Sequence, residues 1–414
     1  MTNILNSTVT LKSNPSIGGI VSQLPSSKSI SNRVLIINAL TSNRSAVSNL
    51  SSARDTKLMQ SLVFSANHTI DVMDAGTTMR FLTAYFALTG QKKMLTGTDR
   101  MKQRPIQLLV DALKQLGAEI TYRGEEGFPP IETLGFTFQK TAILSIPGNV
   151  SSQYISALMM LAPILPQGLT ISLTGEIGSV PYITMTASLM RDFGATLDLD
   201  LLCRKISIKP GSYKPASVTV EADWSAASYW FAFTALAEKA AISLPNVSEK
   251  SLQGDRAVVE VMEKLGVASS FKNGRLELTK KNALAHLVWD FKNCPDLAQT
   301  VLPLCAAQGI TGEFRGLESL RIKETDRIAA LQNELGKIGS ELSEPSTGNW
   351  KLQPGDVSRL KSPIQTYHDH RMAMGFAPWA TLTDLVIESP EVVDKSYPGF
   401  WEDVKSVGIQ LSMS

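Results

Sequence analysis

Residues 110–124 read VDALKQLGAEITYRG, and the order of residue types in this stretch decides the fold. Gly117 follows the last apolar position, where a glycine in the left-handed region commonly ends a helix. The alternating residues after it predict a strand and a polar turn. Apolar side chains before it recur at helical spacing and predict an amphipathic helix: Ile106, Leu109, Val110, Leu113 and Leu116.

The same order of helix, glycine and strand returns along the chain at intervals of about 70 residues. A shortened first copy is expected at residues 56–72, TKLMQSLVFSANHTIDV, which lack the glycine and the trailing hairpin. Because this period is too long for a solenoid, each copy is interpreted as a small α/β subdomain, and six copies predict two sets of three. The later copies are SLMRDFGATLDLD (188–200), VVEVMEKLGVASSFKNGRLEL (258–278), ELGKIGSELSEPSTGNWKLQ (334–353) and EDVKSVGIQLS (402–412), with glycines Gly194, Gly266, Gly339 and Gly408.

The amino-acid composition limits which fold classes and partners are possible. The chain has 414 residues, of which 43% are hydrophobic and 19% charged, so it can fill two large cores and is neither disordered nor a coiled coil. A net charge of +2 gives no overall field for nucleic acid or an anionic membrane. We expect no membrane span and no targeting segment at the start, and therefore a cytoplasmic protein.

The cysteine pattern favours a reducing compartment. Cys203, Cys294 and Cys305 form an odd set without C-x-x-C spacing, and all three are predicted to lie in the core. His368 and His370 form an H-x-H pair, but no cluster of further ligands supports a metal site. No nucleophile elbow, Walker A loop or dinucleotide-binding glycine fingerprint is present.

Short polar segments stand where helices are expected to begin. A helix N-terminus with free amides, hydroxyls and nearby cations can bind phosphate or carboxylate groups. Each segment also has an ordinary interpretation as an N-cap or a solvated basic face. If the segments converge on one cleft, that cleft suits a highly anionic small ligand; they are LPSSKSISNR (24–33), DAGTTMR (74–80), LTGTDRMKQRP (95–105) and PGNVSSQY (147–154).

The later half of the chain adds carboxylates to these basic turns. In RIKETDR (321–327), Lys323 and Arg327 share one face if the segment is helical, so they repel unless an anion lies between them. The alternative is a surface lattice of ion pairs with Glu324 and Asp326. Asp296 is either an N-cap or a catalytic base whose pKa burial raises toward working pH.

Nine motifs, in order, make the chain resemble the 5-enolpyruvylshikimate-3-phosphate synthases, a family of enolpyruvyl transferases. The resemblance implies two domains of the α/β class, residues 21–220 and residues 1–20 plus 221–414, each an inside-out α/β barrel of three βαβαββ units around an inter-domain cleft. It also implies that phosphoenolpyruvate and shikimate 3-phosphate react without cofactor or metal, that the enzyme is a target of glyphosate, and that it acts as a monomer. The motifs are SKSISNR, DAGTTMR, LTGTDRMKQRP, SSQY, VPYI, EADWSAAS, RIKETDR, DHRMAM and DKSYP.

The family's site residues carry over onto matching positions of this sequence. The catalytic groups implied are Lys28, Asp296 and Glu324, with Asp296 serving the hydroxyl proton and Glu324 the methyl carbon, although the division among the three stays open. Phosphoenolpyruvate contacts are implied for Lys28, Gly76, Arg100, Gln153, Arg327, Arg371 and Lys395. Shikimate 3-phosphate contacts are implied for Lys28, Ser29, Arg33, Ser151, Ser152, Gln153, Ser179, Tyr182, Asp296, Ser319 and Lys323.

Some positions depart from the family pattern. The first repeat is short, and Ser26, Asp74, Phe81 and Ser319 replace the residues common there. Asp74 and Phe81 lie near Gly76 in the sequence and are expected to change the affinity for phosphoenolpyruvate or for the inhibitor glyphosate. The alternatives are a UDP-N-acetylglucosamine enolpyruvyl transferase, whose usual loop cysteine is missing from residues 95–105, and a non-catalytic binding protein for anionic ligands on the same fold.

Overall fold

A computed structural model describes residues 7–43 and 45–414 of the chain. These residues divide into two compact units. Unit 1 comprises residues 7–26, Ser52–Arg54 and Glu221–Ser414, and unit 2 comprises Ser27–Ser51 and Asp55–Val220. The cleft expected between two domains depends on how the units are placed and stays a prediction.

The amphipathic segments and the polar helix-start segments singled out in the sequence each contain or lead into a helix. They are α1 (Lys28–Ala39), α2 (Arg54–Leu62), α3 (Gly76–Leu88), α4 (Asp99–Lys102), α5 (Gln107–Leu116), α6 (Ser152–Leu161), α7 (Val180–Asp192), α8 (Trp224–Leu236), α9 (Val258–Lys264), α10 (Ala298–Gln308), α11 (Arg327–Gly336), α12 (His370–Phe376) and α13 (Phe400–Ser406).

The strands are short and alternate with these helices. They are β1 (Thr8–Leu11), β2 (Ser16–Ile20), β3 (Val47–Ser48), β4 (Thr69–Asp71), β5 (Lys93–Thr96), β6 (Ala118–Tyr122), β7 (Ile131–Phe136), β8 (Ile143–Pro147), β9 (Leu169–Thr174), β10 (Leu197–Asp200), β11 (Lys205–Ile208), β12 (Val218–Thr219), β13 (Lys239–Pro245), β14 (Val267–Lys272), β15 (Arg275–Lys280), β16 (His286–Asp290), β17 (Thr311–Arg315), β18 (Glu341–Ser346), β19 (Asn349–Gln353), β20 (Leu385–Glu388) and β21 (Leu411–Met413).

The four-stranded sheets share one topology. Unit 2 contains the sheets β4-β5-β7-β6 and β8-β9-β11-β10, and unit 1 contains β2-β13-β15-β14 and β16-β17-β19-β18. In each, the first two strands are parallel and the others pair antiparallel. Helices α3, α6 and α10 follow the first strands β4, β8 and β16, as a parallel pair joined by a crossover requires.

Two smaller sheets complete the units. In unit 2, β3 and β12 form a two-stranded parallel pair, which is all the sheet that accompanies α1 and α2. Residues 56–72 do run from helix into strand, but β4 belongs to the sheet of the next repeat. In unit 1, β1 lies between β20 and β21 and is antiparallel to both.

The glycines that define the repeat end helices as predicted. Gly117 is the C-cap of α5 with φ of 114°, and its backbone N–H reaches the carbonyls of the last turn. The four later glycines of the pattern also have positive φ, between 75° and 109°. The left-handed backbone at these positions explains why the sequence uses glycine there.

Helices that are apolar on all sides form the centres of the units. Helix α8 has every residue buried except Ser225, and α3 has every residue buried except Thr77. The mixed α/β class predicted from the sequence is confirmed. None of the described helices is long and apolar enough to cross a membrane.

The cysteine prediction holds for two of the three residues. Cys294 and Cys305 are buried and free. Cys203 is exposed in the turn between β10 and β11, so its assignment to the core is wrong. Its backbone N–H donates to Asp200 at 2.8 Å, which shows that this position serves a tight turn rather than packing.

Candidate active site

The first site cluster, in unit 2, surrounds a buried arginine. Arg33 lies on α1 and is 2% exposed. Its Nε donates to Thr186 Oγ1 at 2.7 Å and its Nη2 to Ser156 Oγ at 3.0 Å, while Nη1 donates to the carbonyl of Ser29 at 2.9 Å. We call these residues, together with Phe81 and Tyr182, the Arg33 cluster.

The Arg33 guanidinium is held by neutral groups alone. The rings of Phe81 and Tyr182 have their centroids 5.4 and 5.7 Å from its central carbon, within reach of a cation–π interaction. Burial lowers the pKa of Arg33 to about 10, and among the described residues no carboxylate forms an ion pair with it. A buried cation without a counter-ion suits an anionic ligand.

Two further helices of unit 2 begin with the predicted polar residues. Ser151 caps α6 by accepting from the backbone N–H of Gln153 at 3.3 Å, and Ser152 begins the helix. The amide of Gln153 donates to Thr77 Oγ1 at 3.1 Å. Ser179 precedes α7 with φ of 54° and makes no capping bond with its side chain, which leaves its hydroxyl available.

Lys28 and Ser29 open α1, where Ser27 is the N-cap. The ammonium of Lys28 lies 3.2 Å from Asp55, whose side chain is 5% exposed. Asp55 therefore orients Lys28, and sequence reasoning did not identify it. Its position at the start of α2, a helix of the shortened repeat, gave no signal of its role.

Gly76 begins α3 beside an arginine that was not assigned to the site. A Cβ on Gly76 would lie 2.6 and 2.7 Å from the two terminal nitrogens of Arg104. Arg104 is 7% exposed, and its Nε and Nη1 find no hydrogen-bond partner in the described part of the chain. Arg100, the residue implied by the resemblance, lies on α4 with its Nη1 3.5 Å from Gln103.

The second cluster, in unit 1, surrounds Arg327, which is the first residue of α11 and 1% exposed. Its Nε donates to Asp369 at 2.7 Å, its Nη1 to Asp296 at 3.2 Å and its Nη2 to Glu324 at 2.9 Å. We call this group the Arg327 cluster, and it also includes Lys323, Arg371 and Lys395.

Arg371 is the second arginine of the Arg327 cluster. Its Nη2 donates to Asp296 Oδ2 at 2.8 Å and to Ser225 Oγ at 3.3 Å. Its Nη1 donates to Tyr229 Oη and to the carbonyl of Asp296, both at 3.3 Å. Each carboxylate oxygen of Asp296 therefore accepts from one arginine: Oδ2 accepts from Arg371 and Oδ1 accepts from Arg327.

The lysines complete the cluster at longer range. Lys323 Nζ lies 3.8 Å from Asp296, and Lys395 Nζ lies 4.0 Å from Glu324. The anion expected between Lys323 and Arg327 is therefore the protein's own Asp296. Lys323 itself precedes α11 in extended backbone, and Ser319 is exposed in the short helix before it.

The electrostatics of Asp296 contradict the expectation of a raised pKa. Burial does raise it, but Arg371, Lys323 and Arg327 outweigh burial and hold the pKa of Asp296 well below its usual range. The same attraction raises the pKa of Arg327 despite burial, since Asp369, Glu324 and Asp296 surround it. Asp296 is therefore ionised at neutral pH.

Asp369 is a third residue, after Asp55 and Arg104, that sequence reasoning missed. It is fully buried, caps α12 by accepting from the backbone N–H of Arg371 at 2.9 Å, and binds Arg327. Its place in the segment DHRMAM was the available signal, since an aspartate directly before a helix is a common N-cap. Within the described ranges, no group of three or more His, Cys, Asp or Glu side chains could hold a metal ion.

Comparison with known proteins identifies relatives along nearly the whole chain. The sequence model of the family EPSP synthase (3-phosphoshikimate 1-carboxyvinyltransferase) matches residues 12–65 and 60–404. A 3-phosphoshikimate 1-carboxyvinyltransferase of Bacteroides fragilis is 46% identical, over 94% of this chain and 96% of the relative. One from Pasteurella multocida is 35% identical, over 92% and 93%.

A solved structure shares the fold. An EPSP synthase from Acinetobacter baumannii superposes with a TM-score of 0.77 at 20% sequence identity, covering 99% of this chain and 100% of that chain. At this identity the likeness shows the fold alone. It agrees with the repeated sheets and with the family of the sequence relatives.

Proposed function

This chain belongs to the EPSP synthase (3-phosphoshikimate 1-carboxyvinyltransferase) family, and we propose that it transfers the enolpyruvyl group of phosphoenolpyruvate to the 5-hydroxyl of shikimate 3-phosphate. The products are the enolpyruvyl ether and inorganic phosphate. In aromatic biosynthesis this is the step before chorismate. Both substrates are polyanions, in agreement with the buried cations of the two clusters.

The Arg33 cluster is assigned to shikimate 3-phosphate. A phosphate monoester carries nearly two negative charges, and Arg33 carries a buried positive charge whose partners are hydroxyls, a carbonyl and aromatic rings. The hydroxyls of Ser151, Ser152 and Ser179 at nearby helix starts are suited to the remaining oxygens. Lys28 and Tyr182 are also assigned as contacts of shikimate 3-phosphate.

Three cations of the Arg327 cluster, Arg327, Arg371 and Lys395, are assigned to phosphoenolpyruvate, and the fourth, Lys323, is assigned to shikimate 3-phosphate. Arginine forks match carboxylate and phosphate groups, while Lys395 and Lys323 act as point charges. In unit 2, Gly76 with Arg104 is also assigned to phosphoenolpyruvate, because the guanidinium has free N–H groups at the start of α3. Gln153 and Arg100 keep the roles expected from the sequence, Arg100 as a contact of phosphoenolpyruvate and Gln153 as a contact of both substrates.

The addition step joins the 5-oxygen of shikimate 3-phosphate to C2 of phosphoenolpyruvate. Asp296 accepts the hydroxyl proton, and a proton is delivered to C3, which becomes a methyl group. Glu324, 2.9 Å from Arg327 and 4.0 Å from Lys395, is assigned as the group that, once protonated, donates this proton to C3 and is left as a carboxylate. The product is a tetrahedral ketal that still carries the phosphate.

The elimination step reverses only the proton transfer at C3, while the proton that Asp296 took from the 5-hydroxyl goes to the departing phosphate. The methyl carbon loses a proton, the C–O bond to phosphate breaks, and phosphate leaves while the enolpyruvyl double bond re-forms. Lys28, oriented by Asp55, is assigned to the charge that develops on the departing phosphate. Only proton transfer and charge stabilisation are needed, and amino acid side chains supply both.

The observation that carries the proposal is the placement of Asp296. Its side chain is 19% exposed, so it can meet a substrate, and two arginines and a lysine keep it ionised. The ionised carboxylate is free to accept the hydroxyl proton, and bound anionic substrates that offset the charge of these cations raise its basicity toward that task. We further propose a cytoplasmic monomer, in keeping with the free cysteines.

The test is release of phosphate by the purified chain. We expect release only when phosphoenolpyruvate and shikimate 3-phosphate are both present, and none when UDP-N-acetylglucosamine replaces shikimate 3-phosphate. Turnover with the UDP-sugar and silence with shikimate 3-phosphate would reassign the function. Elution of the chain as a monomer on calibrated gel filtration tests the oligomeric state.

A further inference from the structure

A second buried aspartate lies behind the Arg327 cluster. Asp255 is part of the short 3-10 helix Gly254–Ala257 and is 4% exposed. The hydroxyl of Ser225, in the first turn of α8, donates to Asp255 Oδ2 in a short hydrogen bond. Asp255 Oδ1 has no hydrogen-bond partner within the described chain.

Ser225 connects Asp255 to the Arg327 cluster. Its Oγ accepts a hydrogen bond from Arg371 Nη2 at 3.3 Å, and the same nitrogen donates to Asp296 Oδ2 at 2.8 Å. Asp255, Ser225, Arg371 and Asp296 therefore form a continuous chain of contacts from the core to the partly exposed carboxylate. Ser225 is the hydrogen-bond partner that Asp255 and Arg371 share.

The surroundings of Asp255 bring its ionisation into the neutral pH range. Burial raises the pKa of Asp255 to about 7, the charge of Asp296 adds to the rise, and Arg371 opposes it. Asp223, the N-cap of α8, also raises it. The thiol of Cys294 faces the same region, and burial together with Asp255 keeps that thiol protonated by raising its pKa to about 12.

The charges of the Arg327 cluster show what ionisation of Asp255 changes. Its cations are Lys323, Arg327, Arg371 and Lys395, and its carboxylates are Asp296, Glu324 and Asp369. With Asp255 protonated, the cations outnumber the carboxylates by one. Ionised Asp255 cancels that excess of positive charge. Only the hydroxyl of Ser225 lies between its carboxylate and Arg371.

We propose that Asp255 is a positioning residue that acts on Arg371 through Ser225, so that its ionisation weakens the hold of the cluster on phosphoenolpyruvate. The inference rests on the proposed function. Because linkage is reciprocal, bound anion must also favour protonated Asp255, and binding near neutral pH takes up a proton.

The principal experiment compares wild type with Asp255→Asn between pH 6 and pH 8. The KM for phosphoenolpyruvate of wild type should rise by about fivefold or more relative to that of the variant over this range. The ratio of the wild-type KM to the variant KM is used because protonation of phosphoenolpyruvate affects both proteins equally and cancels. Asp290→Asn, which removes an exposed carboxylate of unit 1, should keep the wild-type profile.

A second variant separates a positioning role from simple packing. Ser225→Ala leaves Asp255 in place but removes its connection to Arg371. We expect this variant to reduce the pH dependence of KM while kcat at pH 6 changes less than KM. A ratio of KM values that is flat from pH 6 to pH 8 would overturn the inference.

Thermal unfolding checks the ionisation of Asp255 without any ligand. A carboxyl whose pKa is raised by folding is favoured in the folded state when protonated, so its contribution falls as pH rises from about 4 to about 7. The Tm of Asp255→Asn minus that of wild type should therefore increase over this range and level off above it. A constant difference would also overturn the inference.

The role of Asp255 and the proposed transfer reaction are distinguished by different results. If wild type turns over both substrates and its KM ratio to Asp255→Asn does not vary with pH, the inference fails and the proposed function stands. If wild type releases no phosphate from the pair, both fail together.

Discussion

The Arg33 cluster and the Arg327 cluster surround the same functional group, a buried guanidinium, with opposite kinds of partner. Both arginines are almost fully buried. Arg33 is surrounded by hydroxyls, a carbonyl and aromatic rings, and burial lowers its pKa. Arg327 is surrounded by three carboxylates, and its pKa is raised.

The difference shows two ways to keep a cation for use with an anion. In the Arg33 cluster no carboxylate competes, so the whole charge is available to a dianionic phosphate ester. In the Arg327 cluster the carboxylates fix the arginines, and the same carboxylates are then available for proton transfer. A binding centre and an acid–base centre thus differ in what neutralises the arginine.

The largest contrast is expected from removing each arginine. Arg327→Met leaves Asp369 buried without its cation and should lower the free energy of unfolding by about 3–5 kcal/mol. Arg33→Met leaves only neutral acceptors, two of which are hydroxyls that can rotate, and should cost no more than about 1–2 kcal/mol. Chemical denaturation of both variants measures the contrast.

The exposed Arg275 supplies the control for the arginine pair. Arg275→Met should change the free energy of unfolding by less than about 0.5 kcal/mol. Equal losses for Arg33→Met and Arg327→Met would show that the two clusters do not differ in the way described.

Asp296→Asn tests the acid–base chemistry assigned to the Arg327 cluster. The amide keeps the size of the side chain but cannot accept the hydroxyl proton, so phosphate release should slow by at least about 100-fold. Binding of shikimate 3-phosphate, measured by calorimetry, should persist because the Arg33 cluster is intact. Normal turnover in this variant would remove Asp296 from the mechanism.

Gly76→Ala tests the anion site that lies against Arg104. The added methyl group would lie 2.6 Å from a guanidinium nitrogen, and the arginine must move because its end is the flexible part. We expect little loss of stability and a rise of about tenfold in the KM for phosphoenolpyruvate, equivalent to roughly 1.4 kcal/mol. Gly211→Ala, with open space around the new Cβ, should leave this KM as it is.

The smallest effect is expected at Phe81, which the sequence analysis placed near Gly76. Its ring packs beside Arg33, so Phe81→Leu should lose the cation–π contribution of about 1 kcal/mol in addition to packing. Phe193→Leu removes an equally buried ring of unit 2 that packs against Tyr213 instead. Equal losses of unfolding free energy in the two variants would deny the ring any role in stabilising the charge.

Much of the fold followed from the sequence because the repeat signals are local. The glycines after amphipathic helices and the serines before them determine where helices end and begin, and both kinds of position are confirmed. Pairing across the chain is not local. The sequence did not reveal that β4 joins the sheet of the second repeat, since a strand's pattern does not name its neighbour.

The site was predicted less completely for the same reason. Motif residues such as Arg327, Arg371 and Asp296 lie together in unit 1. Asp369 and Asp55 were missed because their roles depend on contacts with residues distant in sequence. The pKa of Asp296 was mispredicted because burial alone was considered, whereas three cations reverse its effect.

The place of β1 has a consequence for synthesis of the protein on the ribosome. Both neighbours of this strand, β20 and β21, emerge roughly 370 residues or more after it. At about 5–20 residues per second, β1 waits on the order of 20–75 s without its sheet, while all of unit 2 has already been made. Nascent chains stalled before Leu385 should therefore expose this strand to chaperones, which makes translation speed a factor in the yield of folded protein.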